Sequence, residues 1–209
     1  MSVESLVNGK GDLFQNLFRK TIHTIRLLKS TINIQHRNSL RRNLGMAIPV
    51  YLWLTDDAGN HVKGSVNVDD REGSIEIVEF MHNVELPTDD LTGKITSKRQ
   101  HGDYALIKEV DCSSPYLYKS VSTGSKFKKA VLKLYRINYN GHEEEYFRVT
   151  MENVRVNEIE PFMMDIKNPT FEKHNHLEAF YLAYEKITWH YLDGNIIHSD
   201  SWNNIKGVA

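Results

Sequence analysis

Leu177-Glu178-Ala179-Phe180-Tyr181-Leu182-Ala183-Tyr184-Glu185-Lys186-Ile187-Thr188-Trp189-His190-Tyr191-Leu192 is the stretch on which the fold turns. In an extended chain Leu177, Ala179, Tyr181, Ala183, Ile187, Trp189 and Tyr191 fall on one face, and Phe180, Leu182, Tyr184 and Leu192 on the other. A strand wetted on one side alternates apolar with polar, and this one hardly does. Its outer face is therefore expected to be covered, by a helix or by another subunit, and self-assembly is the economical explanation. Asp193-Gly194 then turns the chain back through Asn195-Ile196-Ile197-His198, which makes a hairpin.

Working outward, the other segments are also strands separated by turn chemistry. Ile48, Val50, Leu52 and Leu54 alternate with Pro49, Tyr51 and Trp53, so one strand carries an aliphatic face and an aromatic face, both expected to be covered. Asp57-Ala58-Gly59-Asn60 supplies a turn, and Ser74 to Met81 reads as strand. Lys133 to Tyr139 and Glu144 to Met151 flank Asn140-Gly141, which predicts a two-residue hairpin, with strand continuing toward Ile159. Pro161 and Pro169 bracket an irregular stretch. Residues 85–103 are polar and aperiodic, and a structureless loop of that length tends to be functional or partner-bound. One helix is expected over Ser114 to Thr123, with Ser114 as its N-cap, Pro115 in the first turn and Gly124 as its left-handed stop.

The 209 residues carry a formal charge of −1, with 40% hydrophobic and 25% charged residues. That balance disfavours wholesale nucleic-acid wrapping. No apolar run reaches the length of a membrane helix, and the N-terminus lacks the apolar block of a secretory signal. A single cysteine, Cys112, excludes an intramolecular disulfide and a cysteine-based zinc cluster. Residues 1–45 differ from the rest: they hold a surplus of six positive charges against −7 for the remainder, and Leu13, Phe14, Leu17, Phe18, Ile22, Ile25 and Leu28 recur at helical spacing. This extension is expected to be a weakly helical or disordered basic segment. It reads either as a membrane-surface or partner-docking arm or, in preference, as a marginal helix with nothing to pack on or upstream sequence absent from the mature product. Met46 is itself a candidate start, which gives domains at 1–45 and 46–209.

Reactive groups are scarce. His174-Asn175-His176 lacks the spread of the nuclease motif it spells, and as a metal pair helped by Glu172 or Glu178 it has no further ligand segment. Cys112 sits just ahead of a helix cap with no oxyanion motif nearby. Neighbouring carboxylates in Asp69-Asp70-Arg71-Glu72 and Glu143-Glu144-Glu145 point to opposite sides of a strand, and the glycines serve turns and caps. No catalytic residue, metal or cofactor is expected, so a metal-dependent hydrolase is disfavoured. The composition suits an assembly or binding protein, with a β-barrel carrier of a small apolar ligand as the alternative.

Several blocks occur in one order: Ile48-Pro49-Val50-Tyr51-Leu52-Trp53-Leu54, Lys63-Gly64-Ser65-Val66, Asp70-Arg71-Glu72-Gly73-Ser74-Ile75-Glu76, Asp111-Cys112-Ser113-Ser114-Pro115-Tyr116-Leu117, Glu152-Asn153-Val154, Phe171 to Glu178, Tyr184 to Trp189 and Asp193 to Trp202. Together they resemble the haemolysin-coregulated protein (Hcp) family of type VI secretion systems. The resemblance implies a small two-sheet β-barrel with a flanking helix, six copies closing a ring, and rings stacking into a tube that a contractile sheath expels behind a spike-tip protein. It further implies small effectors in the lumen, no nucleic acid partner and no stable membrane insertion. Localisation would be cytoplasmic before firing and extracellular or in a target cell after it, without a cleavable signal. Tyr51, Trp53, Phe180, Leu182 and Tyr184 are then assigned to the subunit interface. Leu86, Pro87, Asp89, Asp90, Lys94 and Arg99 are assigned to a ring-stacking loop, and the Ser114 to Thr123 helix to the lumen side.

Overall fold

The computed structural model describes residues 48–169 and 175–202; the 1–45 extension and His174 lie outside them. The strands are β1 (Val50–Asp56), β2 (His61–Val62), β3 (Ile75–Ile77), β4 (Glu79–Met81), β5 (Val84–Glu85), β6 (Gln100–His101) and β7 (Tyr104–Glu109). Helix α1 (Ser114–Thr123) follows, then β8 (Phe127–Ile137), β9 (Glu143–Phe162), β10 (Leu177–Ala183), β11 (Lys186–Tyr191) and β12 (Ile196–Ser201). All the pairings are antiparallel, in the order β2-β1-β8-β9-β10-β7-β4, with β3 on β1, and β11 on β9 and β12. The fold is mainly β with two sheets and one short helix, as expected, although the sheets do not close into a barrel within the protomer.

The 20-residue β9 joins the two sheets. Its first part pairs with β8 and β11, and its last part with β10. Between them Asn153 adopts a φ of 53°, a left-handed conformation that asparagine tolerates better than most side chains. Its amide Nδ2 donates to Glu185 at 2.9 Å, and the Glu185 N–H donates to the Glu152 carbonyl at 3.0 Å, which pins the bend.

Opposite that bend the 177–191 segment breaks at Tyr184-Glu185, and its phase changes. Phe180, Leu182 and Tyr184 are buried on β10 and just past it, whereas Ile187 is buried and Trp189 packs on the core in β11. The apparent second apolar face in the sequence is thus one buried face that changes parity at a one-residue irregularity. The segment carries less surplus apolar surface than strict alternation implies.

The core lies between the sheets, where Leu52, Leu54, Ala130, Leu132, Met151, Leu106, Phe180, Leu182 and Ile187 are at most 1% exposed. Each large side chain among them contributes roughly 1.5–3 kcal/mol by leaving water. Leu117 of α1 joins the same cluster, so the helix covers one end of it.

Three local expectations change. The β8–β9 turn runs from Asn138 to His142, closed by the Asn138 N–H on the His142 carbonyl at 2.8 Å; only Gly141 takes a positive φ (80°), the three-residue hairpin with a left-handed last position. The N-cap of α1 is Ser113, without a side-chain capping bond, and Ser114 is its first residue, its hydroxyl drawn into a buried network instead. Residues 82–102 are not structureless: β5 pairs with β6, Thr88 bridges Ile95, and Asp89 caps the tip by accepting from the Thr92 N–H at 2.8 Å. They form a two-stranded arm.

Candidate functional site

The base of this arm rests on a cluster of aromatic and ionisable side chains. Tyr184 receives it: the Tyr184 hydroxyl lies 2.6 Å from His82 Nε2 and 2.9 Å from His101 Nδ1. His101 Nε2 faces Asp200 Oδ2 at 2.9 Å, and the Arg99 guanidinium forks onto the same carboxylate while Nη2 donates to the Ser201 carbonyl at 2.9 Å. His82 stacks on Tyr104 with ring centres 4.7 Å apart, and His101 lies over Trp189 at 6.5 Å and beside Trp202 at 6.1 Å. Burial, with the nearby His101, pushes His82 down to about 4. Burial alone would raise Asp200, but hydrogen bonds from Arg99, the Ser201 N–H and His101 outweigh it and hold the carboxyl at about 2. The tip of the arm remains open, with Leu91 and Ile95 exposed.

A second polar cluster anchors the helix. Lys108 on β7 and Glu178 on β10 are both fully buried and 2.7 Å apart. Lys108 also reaches Asp111 at 2.7 Å and the Glu109 carbonyl at 2.9 Å. The Ser114 hydroxyl donates to Glu178 Oε1 at 2.7 Å and accepts from Lys108 Nζ and the Asp111 N–H. Asp111 accepts in turn from the Ser113 hydroxyl and, on its other oxygen, from the Ser65 N–H. Burial works to raise the Asp111 pKa, but Lys108 and Ser113 together bring it below the ordinary value. This gives the Asp111-Cys112-Ser113-Ser114 block a physical purpose, the joining of α1 to β7 and β10 on one side and to the Lys63–Ser65 loop on the other. Cys112 itself is exposed, its thiol donating to the Lys63 carbonyl at 3.3 Å.

A third arrangement covers the aromatic face of β1. Arg71 pairs with Glu143 and lies over the Tyr135 ring at 3.9 Å and the Tyr51 ring at 5.1 Å, while Lys133 sits over Trp53 at 4.4 Å. The turn that delivers Arg71 needs Gly64, because a Cβ there would fall 2.3 Å from the Ser74 carbonyl oxygen. The Asp70-to-Ser74 and Lys63-Gly64 blocks meet here.

The interface residues divide. Phe180 and Leu182 have no exposed surface and Tyr184 keeps 4%, so within the protomer they lie in the core and at the arm base. Tyr51 is buried beneath Arg71, and Trp53 is half-buried beside it. Of the loop residues, Leu86, Asp90 and Lys94 are exposed, Pro87 and Asp89 half-buried at the tip, and Arg99 is taken up at the arm base. Asn175 bonds Glu109 at 2.8 Å and His176 is exposed; Glu178 is the partner of Lys108. Among the described residues no group of three or more His, Cys, Asp or Glu is placed to hold a metal. Lys108 and Glu178 leave a readable trace: each is a charged residue in phase with the buried positions of an apolar strand, and the two signs are opposite. His82 and His101 leave none, since they sit in a polar segment.

The family model for the type VI secretion system effector, Hcp, matches residues 51–191. The chain belongs to the Hcp family. It is 28% identical over 168 residues to the major exported protein of Pseudomonas aeruginosa, covering 76% of this chain and 98% of that one. The solved structure of a double mutant of Hcp1 from Escherichia coli EAEC 042 is 55% identical, with a TM-score of 0.68 over 75% of this chain and 99% of that one. The secreted protein Hcp3 of Pseudomonas aeruginosa shares the fold at 23% identity, with a TM-score of 0.61 over 75% and 99% of the two chains. Hcp proteins are structural, secreted components of type VI secretion rather than enzymes, and they are oligomeric.

Proposed function

We propose that this chain is the tube subunit of a type VI secretion system, closing as six copies into a ring whose stacking builds the expelled tube. The observation that carries this reading is the 55% identity to Hcp1 across 99% of that chain, with one shared fold. Stacked rings would engage the sheath and the spike-tip protein, and their lumen would take small effectors. The subunit would wait in the cytoplasm before release. Residues 1–45, preceding the matched region, would form a separate extension.

With Phe180, Leu182 and Tyr184 committed to the core, the face that remains for a neighbour on β10 is Ala179, Tyr181 and Ala183. Strand pairing sets Ala105 and Ile107 of β7 beside Tyr181 and Ala179. All five are half-buried in the protomer. This gives a shallow face of small and apolar side chains, suited to one half of a head-to-tail interface, and rotation by such an interface closes a ring. The exposed tip of the arm supports contact between successive rings. A carrier role has less support, because Leu52, Leu132, Met151, Phe180 and Leu182 occupy the space between the sheets.

Two adjacent substitutions test this. Tyr181→Asp is expected to leave the β circular dichroism unchanged and to reduce the mass in light scattering to that of a single chain. Leu182→Asp is expected to unfold the protomer, since it places a charge in the apolar core. A Tyr181→Asp protein that still assembles would remove this face from the interface.

A further inference from the structure

The arm base holds two histidines on one hydroxyl, and hydrogen-bond arithmetic constrains their protonation. Tyr184 has one proton to donate. With an imidazole nitrogen on either side of the hydroxyl, one ring accepts the tyrosine proton while the other donates to its oxygen. Asp200 fixes which: its carboxylate, already held by Arg99, accepts from His101 Nε2, so in the neutral state His101 Nδ1 is the acceptor and His82 Nε2–H the donor. The order runs from His82 through Tyr184 to His101 and ends on Asp200.

A proton added to one ring can be absorbed by reversing this order. With both rings charged, His82 Nε2–H and His101 Nδ1–H point at the same oxygen, and the tyrosine proton has no acceptor between them. The groups around His82 do not relieve this: Tyr104 stacks on it, Tyr184 and His101 bond or face it, and Trp189 lies 6.3 Å away. Tyr104 and Tyr184 are both raised well above the usual phenol range by burial, so neither supplies a negative charge. Asp103 acts on Tyr184, while Asp200 is engaged by Arg99 and His101.

We propose that residues 82–102 are an acid-gated arm, docked while His82 and His101 share the Tyr184 hydroxyl and loosened at the His82 side when both rings carry a proton. The Arg99–Asp200 pair stays charged through the same range, so the β6 limb remains tethered. The sign follows from His82, which is neutral in the docked arm: its contribution is complete above the ordinary histidine value of 6.5 and is lost as pH falls from there toward about 4. The device is internal to one protomer and does not rest on ring formation.

Hydrogen–deuterium exchange of the full chain at pH 7 and pH 5, corrected for the intrinsic rate, tests it. Peptides covering residues 82–102 should exchange roughly tenfold faster at pH 5, while those from Phe127–Ile137 should not change. His82→Gln, which keeps an N–H donor but cannot take a proton, should abolish the difference between the two pH values. Tyr184→Phe should give fast arm exchange at both. Equal arm protection at pH 7 and pH 5 in the unmodified chain would overturn the proposal, as would a His82→Gln chain that keeps the full pH dependence.

Discussion

The bases of α1 and of the arm solve the same problem with different chemistry. Each ties a projecting element to the sheets through buried or half-buried polar groups. Under α1 the groups are Lys108, Glu178 and Asp111, with the lysine ammonium 2.7 Å from each carboxylate. Under the arm two imidazoles lean on a tyrosine, and imidazole is the side chain whose charge changes nearest neutrality. The first is a permanent joint. The second holds conditionally, and this difference separates the part of the protomer that must stay rigid from the part that reaches outward.

The comparison breaks most readily at Lys108. Lys108→Met should cost about 3–5 kcal/mol in chemical denaturation, because it strands Glu178 in the core without a counter-charge. Replacing both Lys108 and Glu178 with apolar residues of similar volume should restore most of that loss; if it does not, the joint supplies more than mutual neutralisation. Ser114→Ala should cost about 1–3 kcal/mol, since Glu178 and the Asp111 N–H both lose the hydroxyl. By contrast, Tyr184→Phe should cost only about 1 kcal/mol of global stability, with its effect concentrated in the arm.

Acid should separate the joints in sequence. The arm base loosens between pH 6.5 and about 4, where His82 gains its proton. Asp111 has a lowered pKa, so its contribution is present above the ordinary value of 3.8 and is lost only as pH falls below it. Exchange of α1 amides at pH 5 should match that at pH 7 after correction. Helix and arm loosening together at pH 5 would erase the distinction.

Much of this architecture can be read from the residues. The alternation in Ile48 to Leu54, Pro115 and Gly124 at the ends of α1, and the long strand past Glu144 are local signals, and local signals survive folding. The phase change at Tyr184-Glu185 is not local: it answers the bend at Asn153 on a different strand, so strict alternation across 177–192 leaves open which face is core. The arm escaped for a related reason, because its two strands are two residues each and its polar sequence has no apolar period to follow. Arg71 could be read only as part of an acidic run until the turn at Gly64 carried it onto Tyr135.

The working unit we propose is a closed assembly of this chain. Electron microscopy of the purified full-length protein, with light scattering on the same sample, tests it most directly. Annular particles with a mass about six times the 24.2 kDa of the chain are expected. A lone protomer that persists at high concentration, with no rings in the images, would contradict it.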